Sequence, residues 1–173
     1  MRLIKAFLVG ITGLFVVTTL LSLLIPSRVK VSRVVLISNT TTANVYTQIA
    51  TLYNWKNWHP VFKSNDAVVT FPKADKNLYC EISYNNKLTK LMVIAADTSS
   101  VKFILQSVGE NDIENEITVA PVPGQKNVQV QWSAYNKLKW YPWEKFHGIF
   151  IDKLTGPGYD AALNGLKEYL ESH

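Results

Sequence analysis

From residue 6 to residue 25 the chain carries no charged side chain, and this run, AFLVGITGLFVVTTLLSLLI, limits what the rest can be. At a helical rise of ~1.5 Å per residue it spans about 30 Å, the thickness of a bilayer's hydrocarbon core. Thr12, Thr18, Thr19 and Ser22 are compatible with that setting, because a hydroxyl can bond back to a carbonyl one turn earlier. A soluble core helix of this length would show a polar face, and none is visible. A cleaved signal sequence has a shorter apolar stretch and small residues ahead of the cut. Here no alanine occurs between Ala6 and Ala43, and a cut after Ser27 would leave bulky Ile25 in a position that favours small side chains. A lipoprotein signal needs a cysteine at the boundary, whereas the only cysteine is Cys80. The expectation is an uncleaved, single-pass anchor over residues 1–28 and one domain over residues 29–173. Arg2, Lys5 and the amino terminus flank one end, and Arg28, Lys30 and Arg33 the other, nearly a tie under the positive-inside rule. A short basic N-terminus ahead of an apolar run usually stays cytoplasmic, which points to an exported (periplasmic or extracellular) domain.

The formal net charge of +5 suggests nucleic acid until its distribution is examined. The excess sits in Arg2, Lys5, Arg28, Lys30 and Arg33, and the remaining 13 Lys/Arg balance 13 Asp/Glu. Duplex binding needs a basic patch that displaces counterions, and no Lys/Arg cluster occurs after residue 33. No nucleic-acid partner is expected. The basic residues after Ile25 fit contact with anionic lipid headgroups. A neutral, well-patterned domain with one cysteine is expected to be monomeric and without an intrachain disulfide.

Pro26-Ser27 ends the apolar helix, since proline cannot continue it. Residues 29–38 are rich in β-branched side chains and read as a first strand. The cluster Asn39-Thr40-Thr41-Thr42 offers N-caps for a helix over about 43–52, with Val45, Ile49 and Leu52 on one stripe. After Trp55-Lys56-Asn57-Trp58-His59-Pro60 come six apolar-rich runs, at 67–71, 78–84, 88–95, 101–108, 113–119 and 128–135. Asn85-Asn86 is a hairpin signal, because Asn tolerates positive φ. Cys80, Ile82 and Tyr84 alternate with Tyr79, Glu81 and Ser83; Phe103 and Leu105 oppose Lys102 and Gln106; Val128, Val130 and Trp132 oppose Gln129 and Gln131. Such one-sided strands make an antiparallel sheet with one face covered. The cover is C-terminal. Trp143, Phe146, Phe150 and Leu154 keep helical spacing, as do Tyr159, Leu163, Leu166 and Leu170, with a kink or break expected at Gly156-Pro157. The class is α+β, in the order β-α-α-β6-α, without internal repeats.

No catalytic or metal site emerges from motifs. His59, His147 and His173 include no pair at i, i+4, and Cys80 has no Cys partner, so neither a metal site nor a cofactor is expected. No nucleophile elbow, P-loop or dinucleotide-binding glycine pattern occurs. Alternation puts Cys80 in the core. His59 reads as a structural histidine before Pro60, and His147 has no placed carboxylate to make it a general base. Glu114 and Glu116 share a strand face that is more cheaply kept in water.

The same order, with particular residues, resembles the START-like superfamily, in its SRPBCC branch of polyketide cyclases/dehydrases and lipid-transfer proteins. Trp55-Lys56-Asn57-Trp58-His59-Pro60 stands in that family's W-x-x-W-x-P position, and Val130-Gln131-Trp132-Ser133 looks like its last strand. Residues 146–153, Gly156-Pro157 and Leu163-Asn164-Gly165-Leu166-Lys167 are similar to its closing helix, with the Gly-Leu pair shifted from the usual spacing. The resemblance covers residues 30–173. It implies a helix-grip fold, in which a curved antiparallel sheet wraps a long C-terminal helix over a cavity for an apolar or amphipathic molecule. On that arrangement Phe103, Trp132, Phe146 and Phe150 are expected as cavity wall, and Trp55 and Trp58 as scaffold. The first expectation for function is membrane-tethered binding of a hydrophobic small molecule or lipid, without catalysis. A protein-binding regulator would show instead a large exposed apolar patch, and a cyclase/dehydratase-like enzyme would need an acid/base pair inside the cavity.

Overall fold

The computed structural model describes residues 2–72 and 78–172; His173, weighed above as a metal ligand, lies outside them. Helix α1 (Arg2–Leu23) leaves its large apolar side chains exposed, Phe7, Leu14 and Leu20 among them. The hydroxyls of Thr12 and Thr19 donate to the carbonyls of Leu8 and Phe15 at 2.9 and 2.7 Å, so the helix presents few unpaired polar groups. The segment Leu3–Leu23 is long and apolar enough to cross a membrane, a property it shares with signal sequences.

Strand β1 (Arg28–Ser38) leads through Asn39, at φ 54°, into α2 (Thr42–Ala50), whose N-cap Thr41 accepts from the Asn44 amide at 3.2 Å. Two single-turn helices follow, α3 (Trp55–Trp58) and α4 (Pro60–Lys63). Then come β2 (Ala67–Thr70), β3 (Tyr79–Tyr84), β4 (Lys87–Ala96), β5 (Ser100–Ser107), β6 (Ile113–Pro121) and β7 (Asn127–Lys137). The β3–β4 hairpin turns on Asn85 and Asn86, both at positive φ, as that dipeptide predicts. All seven strands form one antiparallel sheet in the order β1-β7-β6-β5-β4-β3-β2, a meander from β2 to β7 with β1 returning beside β7. A register shift between Val93 and Ala95 adds local bend and twist to β4.

Because successive side chains face opposite ways, the register aligns Val31, Arg33, Val35 and Ile37 with Ala134, Trp132, Val130 and Val128 on one face. That face continues through Ile117, Phe103, Leu91 and Cys80, all buried, while Lys102 and Glu81 face water. Glu114 and Glu116 lie on the outer face, paired with Arg28, Lys137 and Lys102.

The inner face is covered by α2 to α4 and by α6 (Ile151–Ser172), whose buried side is Ile151, Ala162, Leu163 and Leu166. The short α5 (Pro142–Gly148) precedes it. Of the kink or break expected at Gly156-Pro157, the break does not occur: α6 runs through the pair. Pro157 forfeits one hydrogen bond on the solvent side, where it and Lys153 are exposed, so the deficit is met by water. The helical run breaks earlier, at Ile149 and Phe150, whose amides bond to the carbonyls of Phe146 and His147 in tight turns. Gly165 brings α6 against α3, since a Cβ there would overlap the Trp58 carbonyl oxygen. Arg33 also departs from expectation. It turns inward, donating to Asp152 at 2.9 Å and Asp160 at 3.0 Å, with its guanidinium directly beneath Gly156. Its place in the Val31-Arg33-Val35 alternation faces it to α6, whose acids engage its guanidinium.

Candidate functional site

Trp55, on α3, meets Phe103 edge-on at 5.3 Å and Trp132 at 5.8 Å; Phe103 and Trp132 are 5.7 Å apart, and Trp132 lies 5.2 Å from the Tyr159 ring of α6. These rings, with Phe62, Ile82, Leu91 and Leu105, line a cavity of about 330 Å³ between the sheet and α6. The volume lies at the lower end of the range of small-molecule pockets. At its open end stand Tyr84 and Lys87 from the β3–β4 hairpin and Thr155 and Gly158 from α6.

The polar ends of the tryptophans are turned away from this space. Trp55 Nε1 donates to the Ile49 carbonyl at 3.0 Å, and Trp132 Nε1 donates to Asn115 Oδ1 at 2.9 Å. Asn115 is itself buried and donates to the Ile113 carbonyl at 3.0 Å. A buried indole N–H needs such a partner, and satisfying it within the scaffold leaves ring faces toward the cavity. Thr89 and Thr155 have their hydroxyls bonded to Ser107 and to the Ile151 carbonyl.

Behind the exposed Tyr84 of the wall, two polar groups remain unengaged among the described residues. His59 stacks on Trp55 at 5.4 Å and caps α4, its Nδ1 accepting from the Val61 amide at 3.2 Å. Burial pushes its pKa down to about 3, so the ring is neutral. With Nδ1 accepting, the proton is assigned to Nε2, which is left as a donor. The second group is the Tyr159 hydroxyl, whose pKa burial raises to about 12. It can donate or accept while staying un-ionised.

Of the expected wall residues, Phe103 and Trp132 line the cavity. Phe146 and Phe150 do not: the break at 149–150 separates them from the inward side of α6, and Phe150 is exposed. Trp58 is scaffold, bonding Gln48 through its indole, whereas Trp55 is wall as well as scaffold. In sequence His59 reads as a structural histidine and Tyr159 as one of the stripe that covers the sheet. Their signals were the four-residue spacing of Trp55 and His59 and the one polar tip in the stripe of Tyr159, Leu163 and Leu166. Cys80 is buried, and burial pushes its thiol up to about 12, which makes it a core residue. His147 is exposed on α5 beside a separate, more polar cleft of about 320 Å³ with Glu144 and Asp112. Among the described residues no three His, Cys, Asp or Glu converge as metal ligands.

No family model matches the chain, and no curated protein matches it in sequence. Solved structures do. A START superfamily protein from Mycobacterium smegmatis is 14% identical with a TM-score of 0.61, over 83% of this chain and 97% of its own. A Bacillus thuringiensis protein is 11% identical with a TM-score of 0.61, over 82% and 98%. A Nitrosospira multiformis protein is 13% identical with a TM-score of 0.60, over 82% and 96%. Identities this low establish likeness of fold: behind its apolar N-terminal helix, the chain has the START-like, α+β architecture of a curved antiparallel sheet closed by a C-terminal helix.

Proposed function

We propose that this protein binds a hydrophobic small molecule or lipid in the cavity without transforming it, held at a membrane by α1 with the domain on the exported side. The observation that carries the reading is the wall itself. Aromatic faces whose N–H groups are bonded into the scaffold surround about 330 Å³, with His59 Nε2 and the Tyr159 hydroxyl as unengaged polar groups behind the exposed Tyr84. That pattern suits an apolar body with a single hydrogen-bonding end. The same groups make poor acid/base catalysts near neutral pH, since His59 is too weak a base and Tyr159 too weak an acid to exchange protons readily. Among the described residues no carboxylate lines the cavity. The START-like fold supports ligand binding as its general use, and α1 would keep the domain where lipidic ligands reside.

Native mass spectrometry of the full-length chain in mild detergent tests the binding claim. The expected result is a stoichiometric apolar or amphipathic adduct released on activation. Bare protein, together with no saturable uptake of an apolar probe, would sink it. The anchor is tested separately by carbonate washing of membranes, which α1 should resist with the N-terminus intact; a shortened, soluble product would reject it.

A further inference from the structure

Large apolar side chains crowd one stretch of the domain surface. Trp140 is 69% exposed, Trp143 64%, Leu154 63%, Ile149 57% and Phe150 53%, all within fifteen residues. We propose that this stretch, α5 with the turns on either side, is a platform that inserts into the lipid–water interface beside α1. The proposal rests on the reading of α1 as a bilayer-spanning helix and adds to it a second, lateral contact between domain and lipid.

The location follows from how α5 meets α1. Lys145, buried on α5, donates its ammonium to the Ile25 carbonyl at 2.9 Å and to Ser27 Oγ at 2.7 Å. The Leu138 amide donates to the Ser27 carbonyl at 2.8 Å, and Ser22, in the last turn of α1, is fully covered. Ile25 and Ser27 follow directly on the last turn of α1, and a buried ammonium that bonds to both joins the two segments firmly. The last turn of a spanning helix lies at headgroup depth. A segment fastened to that turn is held at the same depth.

The chemistry matches that depth. Tryptophan and tyrosine favour the membrane–water interface, where an apolar ring and a polar tip are both accommodated. Tyr141 stacks on Trp143 at 4.5 Å and meets Trp140 at 6.0 Å, forming one aromatic ledge. Lys139 and Lys153 are exposed on either side and suit anionic headgroups. Lipid is the occupant because the anchor presents the ledge to it at every moment, whereas a protein partner would have to displace it. Leu154 adjoins Thr155, which lines the cavity together with Gly158. The platform thus brings the open end of the cavity toward the bilayer, so that a lipidic ligand would exchange with little exposure to water.

Spin labels on the full-length chain, in vesicles of mixed phosphatidylcholine and phosphatidylglycerol, test this in a Cys80→Ala background. Labels are introduced through Trp143→Cys and Phe150→Cys, with Leu14→Cys in α1 and Gln125→Cys as references, the latter exposed on the β6–β7 turn at the end of the sheet away from α1. The expected result is that positions 14, 143 and 150 collide severalfold more with lipid-soluble oxygen than with an aqueous nickel chelate, and position 125 the reverse. A lipid signal at 14 with aqueous signals at 143 and 150 overturns the platform while the anchor stands. Aqueous signals at all positions overturn both. Shielding of 143 and 150 from both reagents overturns the platform in favour of a protein or second-copy interface.

Discussion

Two glycines on the same helix should respond oppositely to the same substitution. Gly158→Ala places a methyl where nothing lies within 4 Å, so it gains the helix propensity of alanine, roughly 0.5–1 kcal/mol. Gly165→Ala gains the same propensity, but its Cβ would overlap the Trp58 carbonyl oxygen and lie 3.4 Å from the carbonyl carbon. That oxygen is backbone of a single-turn helix whose Trp58 ring is buried, so it cannot swing aside as a side chain would. Restoring ordinary van der Waals separation requires α3 and α6 to part by roughly 1 Å. Overpacking of this kind costs ~1–3 kcal/mol, which outweighs the propensity gain. The propensity gain is common to both, so the two variants should differ by the overpacking cost, roughly 1–3 kcal/mol. For a domain of this size that is on the order of 2–12 °C in Tm, the Gly158 variant melting above the parent and the Gly165 variant below it. Circular dichroism melts of the full-length chain in detergent read the difference. If Gly165→Ala melts as high as Gly158→Ala, α6 does not close against α3 as described.

Two further outcomes follow from titration. His59 has a folded pKa of about 3, below its unfolded value near ~6.5, so the unfolded chain binds the extra proton and stability falls on acidification between those values. The loss should approach ~1.4 kcal/mol per pH unit, and His59→Asn, which can still cap α4, should show a shallower acid slope in urea titrations; equal slopes would refute a buried neutral imidazole. Asp152 is held below its ordinary pKa by its bond with Arg33, so its contribution is present above ~4 and disappears as pH falls further. Asp152→Asn should lower Tm at neutral pH and converge with the parent in strong acid; a constant difference across pH would show that the pair contributes nothing through its charge.

The sheet was legible in the sequence because its strands are one-sided. Cys80, Ile82, Phe103, Val130 and Trp132 alternate with polar residues, and the face they mark is the buried one. The end of α5 was not legible. Phe146, Phe150 and Leu154 keep a helical period across the turns that contain Gly148, while the Gly156-Pro157 pair, the stronger break signal, is carried inside α6. Periodicity cannot report a turn whose two sides happen to stay in phase, and this displaced two of the four expected wall residues. In sequence Arg33 fits headgroup contact together with the other basic residues after Ile25, although the alternation of Val31, Val35 and Ile37 sets its face. Its acids lie about 120 residues away, and such partners are invisible to local pattern. His59 and Tyr159 escaped notice for a related reason: which ring atom faces a cavity depends on the cap and the packing around it.

The account stands or falls on whether the interior admits a ligand. Titration of the full-length chain with an environment-sensitive apolar fluorophore tests this directly, in the parent, in Leu105→Trp and in Phe150→Ala. Leu105 lines the cavity, so an indole there should fill it; Phe150 lies outside it. The account predicts saturable binding of one equivalent to the parent, its loss in Leu105→Trp with the fold intact, and retention in Phe150→Ala at the parent's affinity. No saturable binding to the parent, or undiminished binding once position 105 carries tryptophan, would contradict it.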